Sequence, residues 1–253
     1  MGTHRIPTHA ALKSVLSLAM GVLVATKILA ESPGAADLPA TTAPSSSRPV
    51  GVQAPSVQAE TPQTGPSTPT ASQMRALGER AAKGDETALG EIEAIRETIY
   101  QDIDYERDHD RAVSNLKLMR GAFDVLGEEA GKNSAKALQA LKIALATEGL
   151  SSFAPDALGT AAAAGNQEAL DMLLHHDQWG ILLSTTVFSL KKPAANNNEQ
   201  AVDFLIEVLG NPDDRALWLA ASRELVPASV KGNVKAKTAL EQFEAAGGLK
   251  NAK

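Results

Sequence analysis

From Ser72 onward, apolar residues recur every three or four positions, and short breaks rich in Gly, Asn and Asp separate the runs. Leu89, Ile92, Ile99 and Ile103 keep this spacing, as do Val113, Leu116, Met119, Phe123 and Leu126. So do Leu170, Leu173 and Leu174, then Val202, Leu205, Ile206 and Leu209, and finally Ala239, Leu240 and Phe243. That period predicts amphipathic helices. Between them one phrase returns: small residues, a Gly or Asn, a polar cap, then Ala and Leu. Its clearest copy is Ala163-Ala164-Gly165-Asn166-Gln167-Glu168-Ala169-Leu170. Others centre on Gly84, Gly131, Asn197 and Gly232, so the five anchors lie 47, 34, 32 and 35 residues apart. Glycine ends a helix in the left-handed conformation, and the Asp or Asn after it caps the next one. The unit is helix, tight turn, helix. Pro155 sits at a helix start, Pro212 sits near the start of the helix expected over 213–231, and Pro227 is expected to kink or split that helix. Periods of about 20–50 residues mark stacked supersecondary units, each covering the apolar face of its neighbour. The long first interval predicts a longer helical pair, an atypical cap on the N-terminal end of the stack.

Before these repeats come two segments of another kind. Arg5 and Lys13 precede an apolar run over roughly residues 15–26, and no acidic residue occurs before Glu31. A basic region followed by a short apolar one is the pattern of an export signal, and Lys27 interrupts the run short of the ~20 residues of a membrane span. Ala25 and Ala30 each offer a small residue at a cleavage edge, but Ile28 fits the small-x-small rule poorly. Residues 1–30 are therefore expected to be a signal peptide or an uncleaved signal anchor. Residues 31–71 hold eight of the thirteen prolines and twelve Ser or Thr, with almost no large apolar side chain. Such a segment buries too little surface to offset its ordering entropy, which predicts a disordered linker. Leader and tether together place residues 72–253 outside the cytoplasm, in a bacterial periplasm or cell envelope, with the membrane touched only through the N-terminal segment.

Composition removes several function classes. The chain has no cysteine, so disulfide frameworks, thiolate-bound metals and thiol catalysis are excluded. A net charge of −6 gives no electrostatic footprint for nucleic acid. Aromatic residues make up 4% of the chain, which argues against a β-sandwich, and the abundance of Ala favours helix.

The stretch Leu209-Gly210-Asn211-Pro212-Asp213-Asp214-Arg215-Ala216-Leu217-Trp218-Leu219-Ala220-Ala221 resembles the HEAT-repeat family, whose units often read leucine, Asp/Asn-Pro-Asp, a nearby arginine and a double alanine. The resemblance covers about residues 125–247. The phrase at residues 161–166 with Leu173-Leu174-His175 also resembles ankyrin repeats, although Asp156-Ala157-Leu158-Gly159 stands where their Thr-Pro-Leu-His turn belongs. The HEAT-like resemblance is the better match and implies an all-α fold, an α-solenoid of stacked helical hairpins. Either family implies a binding scaffold and carries no catalytic residue across.

The densest polar cluster is Asp102, Asp104, Glu106, Asp108, His109 and Asp110. Its alternating carboxylates resemble the start of a calcium loop, but Arg107 occupies the position where that loop needs glycine. A solvated junction between helices is the simpler reading. His175 and His176 are adjacent, so on a helix they diverge by about 100° and cannot share a metal. No Gly-x-Ser-x-Gly elbow and no phosphate-binding Gly-x-x-x-x-Gly-Lys-Ser/Thr loop occurs. The sequence thus points to a non-catalytic scaffold that binds a protein or peptide, without cofactor or metal. Trp179 and Trp218 are the candidate anchors, because tryptophan is enriched at binding hot spots. The alternative is a helical hydrolase or lyase that uses the carboxylate and histidine cluster at 102–110.

Overall fold

The computed structural model describes residues 69–104, 107–211 and 214–248. The expected leader, and the expected linker up to residue 68, lie outside the described residues, as do Glu106, Pro212 and Asp213. The described residues form an all-α structure without strands. Its helices are α1 (Ala71–Ala82), α2 (Glu86–Tyr100), α3 (His109–Gly131), α4 (Ala135–Ala146), α5 (Ala154–Ala163) and α6 (Gln167–Leu174). A 3₁₀ turn (His176–Trp179) leads to α7 (Leu183–Ser189), α8 (Lys191–Ala195), α9 (Glu199–Gly210), α10 (Arg215–Val230) and α11 (Val234–Ala245).

Five joints share one turn geometry: α1/α2, α3/α4, α5/α6, α8/α9 and α10/α11. In each, one residue has positive φ: Gly84 at 90°, Asn133 at 63°, Gly165 at 99°, Asn197 at 60° and Gly232 at 91°. At α5/α6 the Gly165 N–H donates to the Ala162 carbonyl and the Asn166 N–H to the Ala161 carbonyl, both at 3.0 Å. The other four joints repeat this pair of bonds, the pattern that satisfies a helix's last carbonyls. The residue after the left-handed one then caps the next helix by its side chain: Asp85, Ser134, Asn166, Asn198 and Asn233. The whole reversal is therefore encoded by two adjacent residues.

One anchor differs from expectation. Gly131 is the last residue of α3, and the left-handed position belongs to Asn133 two residues later. Gly131 has a different role, since a Cβ there would lie 2.7 Å from the Ala164 Cβ of the following unit. Turn positions 84, 133, 165, 197 and 232 are consequently 49, 32, 32 and 35 residues apart.

Helices that precede the turns lie next to one another in chain order: α1 against α3, α3 against α5, α5 against α7 and α8, and those against α10. Glycines set how closely they approach. A Cβ on Gly78 would stand 2.4 Å from the Ala122 carbonyl oxygen, one on Gly127 2.7 Å from that of Ala157, and one on Gly159 2.2 Å from that of Ser189. Backbones in this row nearly touch, which explains why so much of the core is alanine. The helices after the turns pack on the row, with Phe123 stacked on Phe153 at 5.5 Å in the core beneath. Neighbouring turns are also tied directly: Asn166 Nδ2 donates to the Ala130 carbonyl at 2.8 Å, and Asn196 Nδ2 to that of Ala163 at 3.0 Å.

Pro227 does not split its helix. α10 runs unbroken to Val230, because the proline lies in its last turns and removes a single N–H, the one that would reach Arg223. Nearby, the Glu224 carboxylate is buried, with Lys191 of α8 placing its Nζ 3.5 Å from Oε2. That distance is too long for a strong hydrogen bond. Burial pushes the Glu224 carboxyl above the usual glutamate range, and Lys191 offsets this in part.

Candidate ligand groove

The connections at the ends of α6 and α9, on the far side from the tight turns, leave a groove of about 270 Å³. Leu183 of α7, Phe204 and Val208 of α9 and Leu217 of α10 supply its apolar surface, with His176, Glu207, Asn211 and Asp214 as polar lining. The sequence of α9 explains how it serves two surfaces. Ala201, Val202, Leu205 and Leu209 are buried in the core, while Phe204 and Val208 form a second apolar pair four residues apart, rotated away from that stripe. Glu207 is exposed beside them.

His176 packs edge-on against Phe204, with ring centroids 6.2 Å apart and planes at 83°. Its Nδ1 lies 3.1 Å from the Ile181 carbonyl, and the Nδ1 of His175 lies 2.9 Å from that of Asp171. A carbonyl only accepts, so each Nδ1 carries its hydrogen there and Nε2 is left as the acceptor in the neutral ring. Asp214 is engaged as the cap of α10, accepting from Ala216 N–H at 3.0 Å and Leu217 N–H at 3.1 Å. Its carboxylate is thereby held in place in the groove lining. Among the described residues, the lining contains no hydroxyl, thiol or amine nucleophile. What the arrangement can do is hold an apolar side chain beside a cation.

The two tryptophans are placed differently. Trp179 is 36% exposed in the α6–α7 connection, with Lys142 Nζ 5.9 Å from its ring centroid. Leu182, 46% exposed, projects from the same connection. Trp218 is half-buried and meets Phe243 of α11 edge-on at 4.3 Å and 72°. The groove brings neither tryptophan into its lining, although Leu217 next to Trp218 belongs to it. Sequence reasoning missed Phe204, Glu207 and Leu182; the off-phase pair Phe204 and Val208 was the signal available.

The described residues of the cluster at 102–110 run from the end of α2 into the first turn of α3. Asp108 Oδ2 accepts the Asp104 N–H at 3.2 Å, and the Asp104 carboxylate pairs with Arg107 at 3.5 Å. His109 opens α3, and Asp110 in its first turn complements the helix dipole. Among the described residues, no group of three or more His, Asp or Glu is arranged to hold a metal ion. No described helix is long and apolar enough to cross a membrane. Compared with protein-family models, curated proteins and solved structures, the chain matches none.

Proposed function

We propose that this chain is an exported, non-catalytic helical-repeat scaffold of the cell envelope, an α-solenoid of HEAT-like hairpins held out on its N-terminal tether. In this reading it binds a peptide or protein segment that carries a large apolar side chain flanked by Lys or Arg. The groove carries the proposal: the apolar side chains of Leu183, Phe204, Val208 and Leu217 line it together with the carboxylates of Glu207 and Asp214. Trp179 and Leu182 extend the exposed apolar surface along the connection that supplies His176. Affinity would come from the buried apolar side chain, and the carboxylates would select for a basic neighbour. Trp218 would support the site from behind, by holding α10 on α11.

Selection from a random peptide display library tests this reading. The expected consensus is one Leu, Phe, Met or Trp next to at least one Lys or Arg. Its binding should fall at least tenfold on Glu207→Lys with the helical signal unchanged. Failure to enrich any sequence, or enrichment of acidic ones, would overturn the proposal.

A further inference from the structure

The two ends of the helix series expose different surfaces. α1, first in its row, turns Ser72, Ala76, Glu79 and Lys83 to solvent at helical spacing, a small and polar face of the kind that ends a stack. α10, last in its row, exposes Val226 at 47% and Val230 at 80%, and Val234 at the start of α11 is 75% exposed. These are three of the five large apolar side chains exposed among the described residues. The C-terminal end therefore carries an apolar face where a polar cap would be expected.

Charge is divided along the same axis. On α10 and the turn after it, Arg215, Arg223 and Lys231 are exposed and the one acid, Glu224, is buried, whereas Lys235 and Lys237 are paired with Asp203 and Glu241. Arg223 and Lys231 flank the valines. Residues 85–110 hold ten Asp or Glu against two Arg. On α2, Gly90 and Ala94 are exposed four residues apart, with Glu86, Glu93 and Glu97 beside them, and a Cβ on Gly90 would meet nothing within 4 Å. One end is bulky and basic, the other small and acidic. Within the fold, rows of helices meet through similar small positions, such as Gly78 against Ala122.

We propose that the chain associates with itself head to tail. The valine face at the α10–α11 end of one copy seats on the Gly90–Ala94 strip of another copy, with Arg223 and Lys231 toward Glu86, Glu93 and Glu97. Pairing two valine faces would instead bring the like charges of Arg223 and Lys231 of both copies together. A heterologous contact of this kind passes from copy to copy, into a ring or an open array. This inference rests on the order and surfaces of the helices and is independent of the groove.

Sedimentation velocity on the full chain tests it. The wild-type chain should give a concentration-dependent series of oligomers at about 0.05 M salt that collapses to monomer near 0.5 M, where the screening length falls to about 4 Å. Two double variants separate the ends: Arg223→Glu with Lys231→Glu, and Glu93→Lys with Glu97→Lys. Both change exposed or half-exposed side chains, and circular dichroism should show the same helix content for each. Each alone should sediment as monomer, while an equal mixture should reassemble into larger species, since each variant keeps one wild-type end that fits the other and the two reversed ends carry opposite charge. A wild-type chain that stays monomeric throughout would overturn the proposal, whatever acidic protein or anionic surface the valine face then binds. So would dimers of the Glu93→Lys, Glu97→Lys variant alone, which would mean valine faces pairing, or association that survives in both variants.

Discussion

Adding one methyl group at each of two glycines should move stability in opposite directions. Gly78 and Gly121 both lie inside helices, on α1 and α3, and both sit near the contact between that pair. Replacing glycine by alanine in a helix interior gains about 1 kcal/mol from backbone entropy. At Gly121 the new Cβ meets only Arg75 Cγ at 3.8 Å and the Ala71 carbonyl oxygen at 3.9 Å, ordinary contact distances. That gain should survive. At Gly78 the Cβ would stand 2.4 Å from the Ala122 carbonyl oxygen and 3.0 Å from its carbonyl carbon. Neither atom is on a flexible side chain, so the helices must separate by about 1 Å, which forfeits a quarter to a half of each dispersion contact at the interface. Met74, Leu77 and Ala81 of α1 are among the buried residues affected. Overpacking costs about 1–3 kcal/mol, and the lost contacts push this toward the upper end. Gly78→Ala should therefore destabilise by about 1–2 kcal/mol net, while Gly121→Ala stabilises by up to about 1 kcal/mol. Urea unfolding followed by circular dichroism reads the difference as midpoints shifted in opposite directions at equal slope. A Gly78→Ala chain as stable as Gly121→Ala would refute the close backbone packing of the first row.

Further outcomes follow from the turns and the buried side chains. Asn198→Ala should cost about 1 kcal/mol for a lost helix cap, and Asn166→Ala about 2 kcal/mol because it also removes the bond to the Ala130 carbonyl of the preceding turn, as denaturant titration would show. Asn133→Gly should leave stability equal or slightly higher, whereas Asn133→Ala should lower it by about 1 kcal/mol, which locates the left-handed residue at 133. Trp218→Ala should destabilise by about 3 kcal/mol through loss of its packing on Phe243, while Trp179→Ala should stay within about 1 kcal/mol of wild type in the same assay. Burial raises the folded-state pKa of Glu224, so its contribution to stability is full below the ordinary glutamate range and is lost as pH rises through the raised value. Glu224→Gln should remove that decline, measured as the difference between wild-type and variant melting temperatures across that window.

Features set by short stretches of chain were readable from the residues alone. A glycine or asparagine followed by a capping side chain fixes a reversal within a few positions, so Gly84, Gly165, Asn197 and Gly232 were identifiable from pattern. Gly131 misled because glycine answers two demands. It can adopt positive φ, and it can let another backbone come close, and only the packing against Ala164 shows which applies. Pro227 misled for a related reason, since its effect depends on how much helix follows it. The groove was the least legible feature. Its lining comes from the α6–α7 connection, α7, α9 and the start of α10, which no local period connects. The burial of Glu224 and the half-burial of Trp218 likewise depend on partners in other helices, Lys191 and Phe243.

The most direct test of the groove as a binding site is amide chemical-shift mapping of the isotope-labelled chain during titration with a peptide enriched by selection. Saturable shifts should concentrate at His176, Leu182, Phe204, Glu207 and Leu217, with apparent affinity reduced at least tenfold by Glu207→Lys. Saturable shifts at other residues, with these five unmoved, would contradict that reading of the groove.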